Sequence, residues 1–131
     1  MTLATVGEDG VWATAVFYAS IDFKLYFLSA PHTRHAQNFQ HQKLIAATIQ
    51  EDDQDWTSIK GIQVEGVVKK LSGTKRLKII NHYKKKFPFL ATPHTQLITA
   101  LAKVNWYELS PKRLYFIDNS KGFGYRAEVS L

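Results

Sequence analysis

Side chains able to do chemistry concentrate at one corner of this sequence, Ser29-Ala30-Pro31-His32-Thr33-Arg34-His35. A strand-like run ends there, and His32 to Phe39 predicts a short helix with an arginine and two histidines at its start. The first N–H groups of a helix lack partners and carry a partial positive charge, so such a corner accepts phosphate. The Arg34 guanidinium adds a planar fork of donors matched to phosphate oxygens. The same residues also suit a plainer arrangement, a hydroxyl N-cap beside a surface arginine. His32, His35 and His41 have a spacing at which imidazoles can share a helix face. No supporting carboxylate follows and the glutamate of the zinc-protease motif is missing, so no metal site is expected.

Two further groups could face a ligand. Lys60-Gly61-Ile62-Gln63-Val64-Glu65-Gly66 reads as a strand whose glycines let another group approach the backbone. There Lys60 and Gln63 can bond a polyhydroxyl chain or a ring edge, or simply face water. Trp106, Tyr107, Phe123, Tyr125 and Arg126 can stack on a flat heterocycle or seal a subunit interface, and spacing does not decide between these. Asp52, Asp53 and Asp55 read as an exposed acidic loop. No nucleophile elbow, phosphate loop or dinucleotide glycine pattern is present. With no cysteine, disulfides, thiolate nucleophiles and Cys-ligated metals are excluded. Any reaction would therefore depend on a bound cofactor, and no catalytic residue can be named.

The elements that must position these groups are mostly strands. Residues Thr2 to Val6 predict a strand, Gly7 to Gly10 a tight turn, and Val11 to Ala19 one long strand apolar on both faces. With Lys24 to Ser29 they predict an antiparallel meander. After the short helix come strands Leu44 to Gln50 and Trp56 to Leu71, the latter bent at Gly66. A helix runs from Ser72 to Phe87-Pro88-Phe89 and a second short one from Pro93 to Leu101. Val104 to Leu109 and Arg113 to Ile117 read as two strands around the turn Ser110-Pro111-Lys112, before a loop-like tail. Residues 1–131 thus predict one domain, mainly β with flanking helices, built as a barrel with helices at its openings.

The formal charge of +6 and pI near 9.6 point to an anionic partner. Lys84-Lys85-Lys86 reads as the solvated face of a helix. A nucleic-acid surface built from Lys75, Arg76, Lys78 and that run lacks interleaved aromatics, so nucleic acid is not the expected partner. No apolar run approaches the roughly 18 residues of a membrane span, no basic leader precedes the first strand, and cysteine is absent, which together predict a cytoplasmic protein.

In order along the chain, Thr2-Leu-Ala-Thr-Val-Gly7 with its Asp-Gly hairpin, Ala15-Val16-Phe17-Tyr18, Leu25-Tyr26-Phe27-Leu28-Ser29 with Thr33-Arg34-His35-Ala36, and Ile59-Lys60-Gly61-Ile62-Gln63-Val64-Glu65-Gly66 resemble the pyridoxamine 5′-phosphate oxidase-like FMN-binding split-barrel family. Thr33-Arg34-His35-Ala36-Gln37, the Lys-Gly-Ile-Gln strand and the ending Asp118-Asn119 to Gly124 look like a bacterial branch of it, the YhbP type. The resemblance implies a six-stranded antiparallel split β-barrel, a homodimer with two FMN sites shared between subunits, and oxidoreductase-like chemistry on an unknown substrate. It implies that Thr14, Ala15 and Val16 line the ring through their backbone and that Ser29, Thr33, Arg34 and His35 hold the phosphate. Lys60, Gly61 and Gln63 would lie beside the ring or ribityl chain, with Trp106 and Arg126 reaching in from the partner. One departure matters: His35 stands where many flavin-binding members carry a lysine or second arginine, and neutral imidazole is a weaker phosphate partner. Members using deazaflavin or haem, or with an empty pocket, leave a binding or sensor module as the alternative, with His32, His35 or His41 as haem ligands.

Overall fold

The computed structural model describes residues 1–52, 55–91 and 95–131. Strands β1 (Thr2–Gly7) and β2 (Gly10–Ala15) form a hairpin in which Gly7 opposes Gly10, the latter at φ +88°. Strands β3 (Tyr18–Ile21) and β4 (Lys24–Ser29) form a second hairpin. Then follow helix α1 (Arg34–His41), β5 (Leu44–Gln50), β6 (Lys60–Lys70), helix α2 (Gly73–Lys86), helix α3 (Thr95–Ala102), β7 (Asn105–Asp118) and the short β8 (Arg126–Glu128). The strand order is β2-β1-β5-β6-β7-β4-β3, all antiparallel, with β8 added to β7.

The ends of that order, β2 and β3, are consecutive in the chain, and this closes the ring. The expected strand Val11–Ala19 is bent: β2 pairs only with β1 and β3 only with β4, while Val16 N–H donates to the Met1 carbonyl at 2.9 Å as the chain crosses over. The expected meander is therefore two hairpins joined by a bend at Val16-Phe17. Counted as one strand, the bent piece gives the six-stranded split barrel, with β8 as an appendage.

Two boundaries also differ from expectation. Trp56–Ser58 is a 3-10 turn that Asp55 caps through the Thr57 N–H, so β6 begins only at Lys60. Ser110-Pro111-Lys112 is not a turn; β7 runs through it. Glu65 opposes Arg113 and Gly66 opposes Pro111, leaving Lys112 as the extra residue of a bulge. Proline is tolerated there because β7's other neighbour changes at this point, β4 pairing up to Leu109 and β8 starting at Tyr115. The expected helix start at Pro93, like Asp53 of the acidic loop, lies outside the described residues.

Strand alternation builds two cores. Leu3, Leu25, Phe27, Ile45, Val64, Val68 and Leu109 fill the barrel, with Phe39 of α1 closing one mouth. The opposite face of β4 and β7 offers Tyr26 and Trp106, which α2 covers with Ile79 and Tyr83. β4 is thus buried on both faces and reads as a continuous apolar run. Among the described residues no helix is long and apolar enough to cross a membrane.

Candidate functional site

Where β2 bends into β3, the barrel wall opens on a cleft of about 470 Å³. One wall is the bend itself, Thr14 to Phe17, whose backbone leaves the β1 ladder here. Leu28 and Tyr83 lie behind, Met1 beside them, and Ser29 and His35 form the polar end. This corner exists because β4 stops at Ser29 and α1 starts five residues later.

At the polar end three groups meet. Ser29 Oγ is 3.1 Å from Thr33 Oγ1 and also bonds His35 Nε2, which lies 3.3 Å from Thr33 Oγ1. Thr33 is the N-cap of α1, yet its hydroxyl donates back to the Ala30 carbonyl at 2.8 Å and caps nothing in the helix. The first turn of α1 is thus left without a side-chain acceptor, the condition under which a helix start takes an anion. Burial pushes the His35 imidazole below its ordinary pKa, so it is neutral at pH 7 and contributes a hydrogen bond rather than a charge.

Of the residues expected here, Thr14, Ala15, Val16, Ser29 and His35 line the cleft and Thr33 bonds its polar end. Arg34 does not point in. Its Nη2 donates to the Asp9 carbonyl at 2.6 Å, its guanidinium lies 4.6 Å from the Trp12 ring centroid, and its Nε is buried without a partner. Gln63 shares the face of Ala15 through the register Ala15–Thr2–Thr48–Gln63. It is three strand spacings away, roughly 14 Å. There Arg126 Nη1 donates to Gln63 Oε1 at 3.4 Å and stacks 4.7 Å over Tyr115, with Gly61 and exposed Lys60 earlier on the same strand. These four residues form a group of their own, off this chain's cleft. Trp106, expected to reach across a subunit boundary, is 3% exposed and packs edge-on against Tyr83 in its own chain's core. It has no surface to offer a partner. Of the three histidines considered as ligands, His32 and His41 are exposed and only His35 faces inward; among the described residues no three His, Asp or Glu side chains gather as a metal site.

Sequence reasoning missed Tyr83. It counted only as part of the apolar stripe of α2, but it lines the cleft and its buried hydroxyl has no partner among the described residues. Burial raises its pKa to about 12, so it stays a protonated donor. Its ring position was legible from helical period; the orphaned hydroxyl emerges only from packing.

No family model matches the chain. A UPF0306 protein of Enterobacter sp. is 32% identical over 119 residues, covering 89% of this chain and 78% of the relative. The UPF0306 protein YhbP of Escherichia coli O157:H7 is 27% identical over 119 residues, with 89% and 75% covered. Among solved structures, a haem-binding protein from Mycobacterium smegmatis superposes with TM-score 0.76 at 16% identity, covering 98% of this chain. This chain spans 51% of that protein's length. An FAD-binding protein from Mesorhizobium loti gives TM-score 0.67 at 16% identity over 98% of this chain and 85% of that one. A candidate pyridoxamine 5′-phosphate oxidase from Listeria innocua gives 0.64 at 12% identity, covering 86% and 83%. At these identities the structural likeness carries the fold, a pyridoxamine 5′-phosphate oxidase-like split barrel, while the sequence likeness carries the lineage: the chain belongs to the UPF0306 family.

Proposed function

We infer that this protein binds FMN in the cleft beside the bent strand and works as a homodimeric, oxidoreductase-like flavoprotein. The observation that carries the reading is the polar end of the cleft, where two hydroxyls converge on an uncapped helix start beside a strip of open backbone. Ser29, Thr33 and the first N–H groups of α1 hold the phosphate. Neutral His35 fixes the Ser29 hydroxyl, and Arg34 swings from the Asp9 carbonyl to add its charge. The backbone of Thr14, Ala15 and Val16 meets the ring edge, and Tyr83 donates its free hydroxyl to the ligand. The flavin, when bound, supplies two-electron transfer between a substrate and an electron donor.

A second copy completes the site. Ala4, Val6, Val11, Ala13, Leu44 and Ala46 form an exposed face of small and branched apolar side chains over β1, β2 and β5, continuous with the cleft wall. Such a face is suited to burial against its own copy. Lys60, Gly61, Gln63 and Arg126, too far around one barrel to serve its own cleft, are then the partner's contribution. Haem in this cleft would need an imidazole free to ligate iron there; His35, the histidine that lines it among the described residues, is buried and engaged with Ser29, which favours the flavin.

The test is an absorbance spectrum of freshly purified protein, an FMN fluorescence titration, and light scattering. Flavin bands or FMN binding, with a dimer mass, are expected. A Soret band, or failure of FMN to bind a confirmed dimer, would overturn the cofactor; a monomer would overturn the shared site.

A further inference from the structure

A larger cleft, of about 590 Å³, lies on the other side of α1 and shares no lining residue with the first. Its floor is apolar: Phe39, Val68 and Tyr107 are 5%, 2% and 6% exposed, and Ala36 borders them. Tyr107 stacks on Phe27 with centroids 5.4 Å apart and meets Phe39 edge-on, so the floor is rigid. Its rim is basic. Lys43, just before β5, and Lys70, the last residue of β6 and on the face of Val68, line it and are exposed; Lys69 before it turns its side chain to the opposite face, across from Glu108. None of them makes an ion pair among the described residues, whereas Lys24 and Lys75 are taken up by Glu108. Among the described residues no carboxylate lines this cleft. Gln40 and Asn105 add neutral donors, and Asn105 Nδ2 already donates to the Tyr107 hydroxyl at 3.4 Å, leaving that hydroxyl free to donate to a guest.

Two lysines without an ion-pair partner beside a buried aromatic and aliphatic floor select for opposite charge on an apolar body. The geometry points to a second ligand site, for a small organic anion in which a ring or short hydrocarbon carries one carboxylate or phosphate. The body lies over Phe39, Val68 and Tyr107, and the head is held between Lys43 and Lys70. The two clefts share no lining residue, although His35 of one meets Phe39 of the other edge-on with ring centroids 5.9 Å apart.

The probe is phenyl phosphate, followed by calorimetry on the full chain, with inorganic phosphate and phenol as its two halves. The lysines are exposed and so is Gln40, so Lys43→Gln with Lys70→Gln, and separately Gln40→Trp to fill the cleft, leave the fold intact. Saturable binding of phenyl phosphate is expected, with each half at least about tenfold weaker. The paired lysine variant and Gln40→Trp should each weaken it by a similar factor, and Arg34→Ala should leave it unchanged. Equal binding of inorganic phosphate would remove the apolar floor from the recognition. Equal affinity in the lysine or Gln40→Trp variants, or loss through Arg34→Ala, would overturn this site and assign the anion to the cleft at Ser29.

Discussion

The Arg34 guanidinium rests 4.6 Å from the centre of the Trp12 indole while its Nη2 donates to the Asp9 carbonyl across the β1–β2 turn. Stacked guanidinium and aromatic planes hold each other modestly at an exposed site, by about 0.5–1 kcal/mol. A charge-assisted bond to a phosphate exceeds that, so the arginine is parked within reach of release. Replacing Arg34 by Ala should weaken FMN binding by about 1.5–3 kcal/mol. Leaving Trp12 should change that indole's emission as FMN or inorganic phosphate is titrated, a change lost in Trp12→Phe. An Arg34→Ala variant that binds FMN as tightly as the parent removes this residue from the site.

Tyr83 carries the second expectation. A buried hydroxyl without a partner costs about 1–3 kcal/mol. Tyr83→Phe should therefore raise the stability of the ligand-free protein by about 1 kcal/mol in urea unfolding, with the packing against Trp106 and Phe87 retained. The same change should weaken the cleft ligand by a comparable amount. A variant less stable than the parent would mean that the hydroxyl has a partner within the folded chain.

Glu108 makes the protein acid-sensitive in a defined direction. Burial pushes its carboxyl up, but the hydrogen bonds from Lys75, Ser110 and Tyr26 together outweigh burial and hold it below the ordinary range. The folded state then binds this proton less readily than the unfolded chain. The stabilisation is present above the unfolded value of about 4.3 and disappears as pH falls through the folded one. Glu108→Gln should be less stable than the parent at pH 7, with the gap closing progressively below about pH 4.3. A difference independent of pH would place the loss in packing rather than ionisation.

Much of this is legible in the amino-acid sequence. Strands β4 and β5 fell on their expected residues because short apolar runs there are bounded by turn signals, and the Ser29–His35 corner followed from a strand ending just before a helix. The bend at Val16 was not legible. Val11 to Ala19 runs apolar on both faces with no turn signal inside it, and only the closing of the ring forces its two halves onto different neighbours. Arg34 shows the same limit for side chains: a sequence gives its reach, while the turn that comes to lie beneath it decides where it points. Trp106 was misplaced for a similar reason, since an aromatic residue enriched at interfaces is equally suited to the floor beneath α2.

Gly66 tests whether the bulge in β7 is what brings β8 to the barrel. A Cβ at this position would stand 2.5 Å from the Ser110 carbonyl oxygen and 3.0 Å from the Pro111 Cα, both backbone atoms of the paired strand. Neither can move without shifting the ladder that runs from Glu65–Arg113 to Lys60–Asp118. Overpacking of this kind costs about 1–3 kcal/mol. Gly66→Ala should therefore lower the urea midpoint and, more tellingly, speed amide exchange in β8 and at Gln63 beyond its effect on β1. A strand that simply bends, with no bulge to protect, would accept the methyl group, and exchange would rise evenly across the sheet.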